Sequence, residues 1–249
     1  MTAAKPQSAP SKTIYRFVAL AGLAAVFVGV VFSLRGPDLS VQPVMAERPV
    51  MLPDGTALYV QKYEVSVAEW NVCHAKGGCT LALRAPAGKS EATMPATGLS
   101  YVDVDEYLTW INSATRHTFR LPNLKEWEFM AADVLPKEPD PIFTSPELTW
   151  ASAYLTEPQI GRALHAQGSF ATTAQGIVDL NGNVWEWTSA CYAGVSGGDM
   201  SPDRCPAFYI GGEHIAVMSF LVRDPARGGC AAGSPPAHLG MRLVTDHAL

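Results

Sequence analysis

The chain has 249 residues, and a targeted N-terminus would leave roughly 200 of them, enough for one domain with a substantial core. The formal net charge is −5, and no basic cluster lies beyond the N-terminus, which excludes nucleic acid as an expected partner. Charged residues make up only 16% while Gly and Pro are frequent, and this composition favours a loop-rich α+β domain over a helical bundle.

An uncharged apolar run, FVALAGLAAVFVGVVFSL, occupies residues 17 to 34. As a helix it would be roughly 27 Å long, which nearly crosses the hydrocarbon core of a bilayer. Lys5, Lys12 and Arg16 precede it, so the bias of positive charge predicts a cytoplasmic N-terminus and an exported domain. A buried core helix is the weaker alternative, because the run is apolar on every face.

Two processing outcomes are compatible with this run. In the first, residues 1–16 are a cytoplasmic N-terminus and residues 17–35 remain as the transmembrane anchor of a single-pass protein of the cytoplasmic membrane, with its domain in the periplasm. In the second, the run is a signal sequence cleaved near Val44-Met45-Ala46, and the chain is secreted to the periplasm.

The next segment, residues 36–55, is predicted to be an extended tether, and the folded domain is expected over residues 56–249. Proline fixes φ and disfavours helix in the residue before it. The prolines of this segment are Pro37, Pro43, Pro49 and Pro53.

Local signals predict one strand and three helices in the first half of the domain. Residues 57 to 60 alternate in polarity after a turn and predict a strand. Ser66 is expected to cap a short helix, and residues 99 to 112 predict an amphipathic helix. Asn123 and Glu126 have the spacing of a capping box and predict the start of a third helix.

The five cysteines favour an oxidising compartment. Cys73 and Cys79 lie close together around a turn, and Cys191 and Cys205 bracket a loop rich in Gly, Ser and Pro, so each pair is a candidate disulfide. Cys230 is left over, and a small buried thiol is the simpler interpretation of it than a reactive nucleophile.

Four segments, taken in order, are similar to motifs of the formylglycine-generating (sulfatase-modifying) enzyme family. The segments are Tyr63-Glu64-Val65-Ser66, Arg120 to Glu128, Gly168 to Thr188, and Leu239-Gly240-Met241-Arg242. The most specific is GNVWEW, residues 182 to 187. The resemblance covers about residues 56 to 245 and implies a C-type-lectin-like α+β fold with little regular secondary structure.

The resemblance also implies a calcium site in the GNVWEW segment. Its expected ligands are the side chains of Asp179 and Glu186 and the carbonyls of Gly182 and Val184, a set of hard oxygens that suits Ca²⁺. The alternative is that both carboxylates only accept hydrogen bonds from turn amides. At most one metal ion is expected.

In the family, two cysteines four residues apart bind Cu(I) for oxygen-dependent oxidation of a substrate cysteine. The corresponding stretch, Tyr209 to Phe220, contains no cysteine, so the resemblance does not extend to the reactive centre and copper is not expected. No catalytic residue is predicted. The cleft that would remain is expected to include His214, Ser219, Arg223, Arg227 and Cys230.

Three functions follow as hypotheses. The first is a non-catalytic accessory or binding module that assists maturation or assembly of an exported protein or peptide partner; cysteine-poor members of the family accompany exported metalloenzymes, including a nitrite-reductase-associated group in denitrifying bacteria. The second is a formylglycine-generating-type oxidoreductase with an atypical metal site. The third is a calcium-dependent, lectin-like binder.

Overall fold

The computed structural model describes residues 36–135, 163–192, 205–213, 215–225 and 238–249. Both the predicted cytoplasmic N-terminus and the predicted membrane span lie outside these ranges. Within them, every helix is too short or too polar to cross a membrane. The strands are β1 (Val50–Met51), β2 (Ala57–Val60), β3 (Trp185–Cys191), β4 (Ala207–Gly211), β5 (Ile215–Ser219), β6 (Leu239–Gly240) and β7 (Val244–Thr245). The helices are α1 (Val67–Ala75), α2 (Tyr101–Thr115) and α3 (Leu124–Ala131).

Each of the three helices begins with a capping box. In every case the N-cap side chain accepts the N3 amide hydrogen and the N3 carboxylate accepts the N-cap amide hydrogen, so two amides that the helix itself cannot satisfy are paired. The cap and N3 pairs are Ser66 with Glu69, Ser100 with Asp103, and Asn123 with Glu126. The predicted caps Ser66 and Asn123 are confirmed, and the second helix begins two residues later than expected, after Ser100.

Two small sheets organise the domain. A three-stranded antiparallel sheet has the order β1-β2-β7, so the last strand of the chain pairs with one of the first. A four-stranded sheet has the order β5-β4-β3-β6, in which only β3 and β6 run parallel. The mixture of short strands and three helices confirms the α+β class, with much of the backbone in turns and loops.

The buried side chains form two clusters. The larger cluster joins α1 and α2 to the four-stranded sheet, and Trp70 stacks on Tyr107 there with ring centroids 5.3 Å apart. The smaller cluster packs Trp127 and Met130 of α3 against Leu58 of β2. Because β3 separates the two clusters, its residues reach both of them.

The segment predicted to be an extended tether is instead part of the folded unit from Leu39 onward. Leu39–Val41 forms a short 3-10 turn, and the side chains of Val41 and Met45 pack against the larger cluster. The Ala46 amide donates to the Val60 carbonyl at 2.8 Å, so this segment continues the pairing on the side of β2 that faces β1. Proline spacing did not reveal this because backbone pairing depends on a partner strand that the spacing does not specify.

Candidate functional site

The signature segment begins with a tight turn at Asp179. This residue has a left-handed backbone with φ of 68°, which aspartate tolerates better than most residues. Its carboxylate accepts hydrogen bonds from the Gly168 amide at 2.6 Å and the Phe170 amide at 2.8 Å. Gly182 packs under Phe170, since a Cβ there would lie 2.5 Å from the ring. The Asp179 carboxylate and the Phe170 ring therefore hold the turn against the Gly168–Phe170 segment.

Glu186 lies on β3 between the two clusters and is fully buried. Its Oε2 accepts a hydrogen bond from Trp127 Nε1 at 2.9 Å. Its Oε1 accepts from Arg242 Nε at 2.9 Å and lies 2.8 Å from Arg242 Nη2. The glutamate of the GNVWEW segment thus has an internal cation as its partner.

Arg242 is buried and forms hydrogen bonds with four residues that are distant from it in sequence. Besides Glu186, its guanidinium donates to the carbonyls of Gln61, Lys62 and Val178 at 2.8 to 3.0 Å. Burial alone would lower the pKa of this guanidinium, but the nearby carboxylates outweigh burial and raise it. Arg242 therefore remains charged inside the domain.

Glu64 is the unusual member of this buried group. Its side chain is fully buried, and neither carboxylate oxygen has a hydrogen-bond partner among the described residues. The nearest cation is Arg242, with Nη2 3.9 Å from Glu64 Oε2. Burial, with the charges of Glu186 and Asp179, outweighs the attraction of Arg242 and raises the pKa of Glu64 to about 8. Arg242 thus faces two buried carboxylates, Glu186 at hydrogen-bond distance and Glu64 farther away.

These contacts bear on the predicted calcium ligands. Each carboxylate oxygen of Asp179 and of Glu186 already accepts a hydrogen bond from a protein donor, and the Gly182 carbonyl accepts the Val184 amide at 2.9 Å. Protein donors and the neighbouring Arg242 thus already pair the two carboxylates, and calcium binding stays a prediction.

The two predicted disulfides are confirmed. Cys73 and Cys79 are bonded across the end of α1, with Cα atoms 5.3 Å apart. Cys191, the last residue of β3, is bonded to Cys205, just before β4, with Cα atoms 5.8 Å apart. Four sulfur atoms are therefore unavailable as thiolates.

The predicted cleft residues are only partly described. Ser219 is exposed at the end of β5, opposite Ala207. Arg223 donates to both carboxylate oxygens of Asp103 on α2, at 2.6 and 2.7 Å. The other three members, His214, Arg227 and Cys230, lie outside the described residues.

Two glycines, Gly211 at the end of β4 and Gly212 directly after it, lie on two tryptophan rings. A Cβ at Gly211 would lie 2.2 Å from the Trp127 ring, and one at Gly212 would lie 2.3 Å from the Trp185 ring. Only a residue without a side chain permits this approach. The glycines therefore have a packing role at the start of the stretch where the family carries its cysteines.

Two surface depressions accompany this arrangement. The larger, of about 540 Å³, is bordered by Arg48, Met51, Phe129 and Asp133. The smaller, of about 350 Å³, is bordered by Val44, Tyr63, Glu69 and Gln167. Neither includes Ser219 or Arg223, so the described surface offers grooves at places that the sequence did not predict.

Sequence reasoning assigned no role to Glu64 or Arg242, and it expected Trp127 only as part of the buried face of a helix, with Phe129 and Met130; of these three, Phe129 is exposed. A charged residue between apolar neighbours, as in Glu64-Val65 and Met241-Arg242-Leu243, was the available signal. Such a residue is buried only with a partner, and the partner is distant in sequence.

No curated protein matches the sequence. Among solved structures, that of PvdO from Pseudomonas aeruginosa is 20% identical, with a TM-score of 0.46, over 80% of this chain and 89% of that chain. Treponema denticola variable protein 1 is 12% identical, with a TM-score of 0.47, over 82% and 93%. The crystal structure of CarF is 16% identical, with a TM-score of 0.48, over 77% and 87%.

The match to a family model is more extensive in sequence. It covers residues 31–247, which include all four motifs and the buried centre formed by Glu64, Glu186 and Arg242. The family expected from the motifs is therefore confirmed, and the chain belongs to the family of the sulfatase-modifying factor enzyme 1-like domain.

Proposed function

We propose that this chain is a membrane-tethered, extracytoplasmic binding module that assists the maturation or assembly of an exported protein and does not itself oxidise cysteine. The supporting observation is the state of its sulfur atoms. Four of the five cysteines form disulfides, which leaves Cys230 as the one remaining thiol of the sequence. A Cu(I) site of the family's kind requires two thiolates.

The packing beside this stretch involves no cysteine pair. Gly211 and Gly212 lie on Trp127 and Trp185, and Trp127 donates to Glu186, which pairs with Arg242. A fold can keep its packing while the chemistry of its site is lost, because function depends on a few residues of the site. Two disulfides agree with an exported domain, and an exported metalloenzyme is the partner class that we propose.

Copper binding tests the proposal that the chain does not oxidise cysteine. The full-length chain is titrated with Cu(I) against a competing chelator, and oxygen uptake is followed with a cysteine-containing peptide. We expect neither stoichiometric tight binding nor peptide-dependent uptake, with the Cys230→Ser variant as the control. One tightly bound Cu(I), with oxygen uptake that this variant loses, would establish the oxidoreductase alternative instead.

Maturation in cells tests the proposal that the chain assists an exported metalloenzyme. Without the chain, the matured, metal-loaded fraction of an exported metalloenzyme from the same cell should fall. Both wild type and Cys230→Ser should restore that fraction, because the proposed role needs no thiol. Unchanged maturation of every exported metalloenzyme would contradict the proposal, and calcium-dependent retention on a sugar matrix would favour the lectin-like alternative.

A further inference from the structure

The segment from Leu39 to Ala46 connects the predicted membrane span to the domain. We infer that this segment stays on the folded domain after export and that its two exposed apolar side chains, Leu39 and Val44, lie in the lipid headgroup region. The inference rests on the membrane tether in the proposed function and adds to it a docked orientation of the domain. Three observations support it.

The first observation is that the segment is built into the fold. Val41 and Met45 pack against the larger cluster, Met45 pairs with Gln61, and the Lys62 amide donates to the Val44 carbonyl at 2.8 Å. Cleavage after Ala46 would remove these contacts and expose the apolar surface that they cover. Retention of the segment is therefore favoured over the signal-sequence alternative.

The second observation is the short reach of the chain. The apolar run ends at Leu34, and the folded unit begins at Leu39. Five extended residues span at most about 18 Å. The headgroup region occupies roughly 5 to 7 Å of that distance. The start of the domain is thus confined close to the bilayer surface.

The third observation is the character of the side chains at that start. Leu39 is 69% exposed and Val44 is 64% exposed, while Val41 and Met45 in the same segment are partly buried and pack against the larger cluster. A single exposed apolar residue is common on a protein surface. Two such residues within ten positions of a span, where the chain cannot leave the interface, gain free energy by contact with lipid.

The test uses the full-length chain in vesicles of phosphatidylcholine and phosphatidylglycerol. An environment-sensitive fluorophore is attached to a single cysteine in a Cys230→Ser background, in the variants Leu39→Cys, Val44→Cys and Leu221→Cys. Leu221 is the matched control because it is 65% exposed and follows β5 in the other sheet. Quenching by brominated lipids should be at least twofold stronger at positions 39 and 44 than at position 221.

The mass of the chain in the same membranes separates two kinds of failure. If the chain is intact and resists carbonate extraction but quenching is equal at all three positions, the docked orientation is wrong and the membrane tether is still supported. A chain that begins after Ala46 in the soluble fraction overturns both. An intact, carbonate-resistant chain with the stronger quenching at positions 39 and 44 supports both.

Discussion

Two of the arginine–carboxylate pairs that connect distant parts of this domain, Arg242–Glu186 and Arg223–Asp103, differ in their surroundings. The side chains of Arg242 and Glu186 are at most 1% exposed, and the guanidinium also donates to three backbone carbonyls. The Arg223 side chain is 56% exposed, and among the described residues it donates to Asp103 on α2, whose side chain is 2% exposed beneath it. One pair lies between the two clusters, and the other closes the edge of one of them.

The two pairs should contribute differently to the free energy of unfolding. Water can replace a lost partner at the edge, where the net contribution of an ion pair is small. In the core no water compensates for the loss, so the removal of one partner leaves an uncompensated buried charge. The buried pair should therefore dominate both stability and pH dependence, although the two pairs have similar hydrogen-bond distances.

The largest expected effect is that of Arg242→Met. This change leaves Glu186 without its cation and three carbonyls without a donor, so the free energy of unfolding should fall by about 3–5 kcal/mol. Urea unfolding at pH 7 measures it, with Arg223→Met as the matched substitution at the edge. If Arg242→Met does not fold, Arg242→Lys supplies the measurement. Equal losses at positions 242 and 223 would contradict the comparison.

The second prediction concerns Glu64 and pH. The pKa of Glu64 is raised to about 8 in the folded domain, above its ordinary value, so folding takes up a proton between about pH 4.5 and 8. Its contribution to stability is fully present at low pH and is lost as pH rises through 8. In this window the wild type should lose about 1.4 kcal/mol per pH unit relative to Glu64→Gln.

Unfolding free energies from pH 4.5 to 8.5 measure this difference. Glu128→Gln, at an exposed position on α3, is the control and should follow the wild type. Parallel curves for wild type and Glu64→Gln would show that Glu64 is charged in the folded domain.

The smallest expected effect is that of Arg223→Met, about 1 kcal/mol at pH 7. Although burial alone would raise the pKa of Asp103, hydrogen bonds from Arg223 and Ser100 hold it below its ordinary value. The contribution of the pair is therefore present at neutral pH and disappears as Asp103 becomes protonated in acid. Denaturation at pH 7 and pH 3 should show a smaller difference between wild type and variant at pH 3 than at pH 7.

Several features could be predicted because their partners are close in sequence. The capping boxes join residues three positions apart, and the disulfides join cysteines 6 and 14 positions apart. Such contacts form from the local chain whatever its distant neighbours are. The same locality explains why the GNVWEW segment identified the family.

Other features could not be predicted because they depend on segments that are distant in sequence. Arg242 donates to Gln61 across 181 positions, and Trp127 donates to Glu186 across 59 positions. The calcium prediction was limited in the same way, since Glu186 was identified by its motif and its cationic neighbour was not.

By itself the sequence determined the starts of α1 and α3, the disulfide pairs, the family and the lack of a cysteine pair between Gly211 and Phe220. Only the tertiary structure decided that Arg242 forms an ion pair with Glu186, that Glu64 has no hydrogen-bond partner among the described residues, and that the folded unit begins at Leu39. The physical reason is burial. The charge state and partners of a group that is removed from water depend on every segment packed around it, and the order of residues does not state that packing.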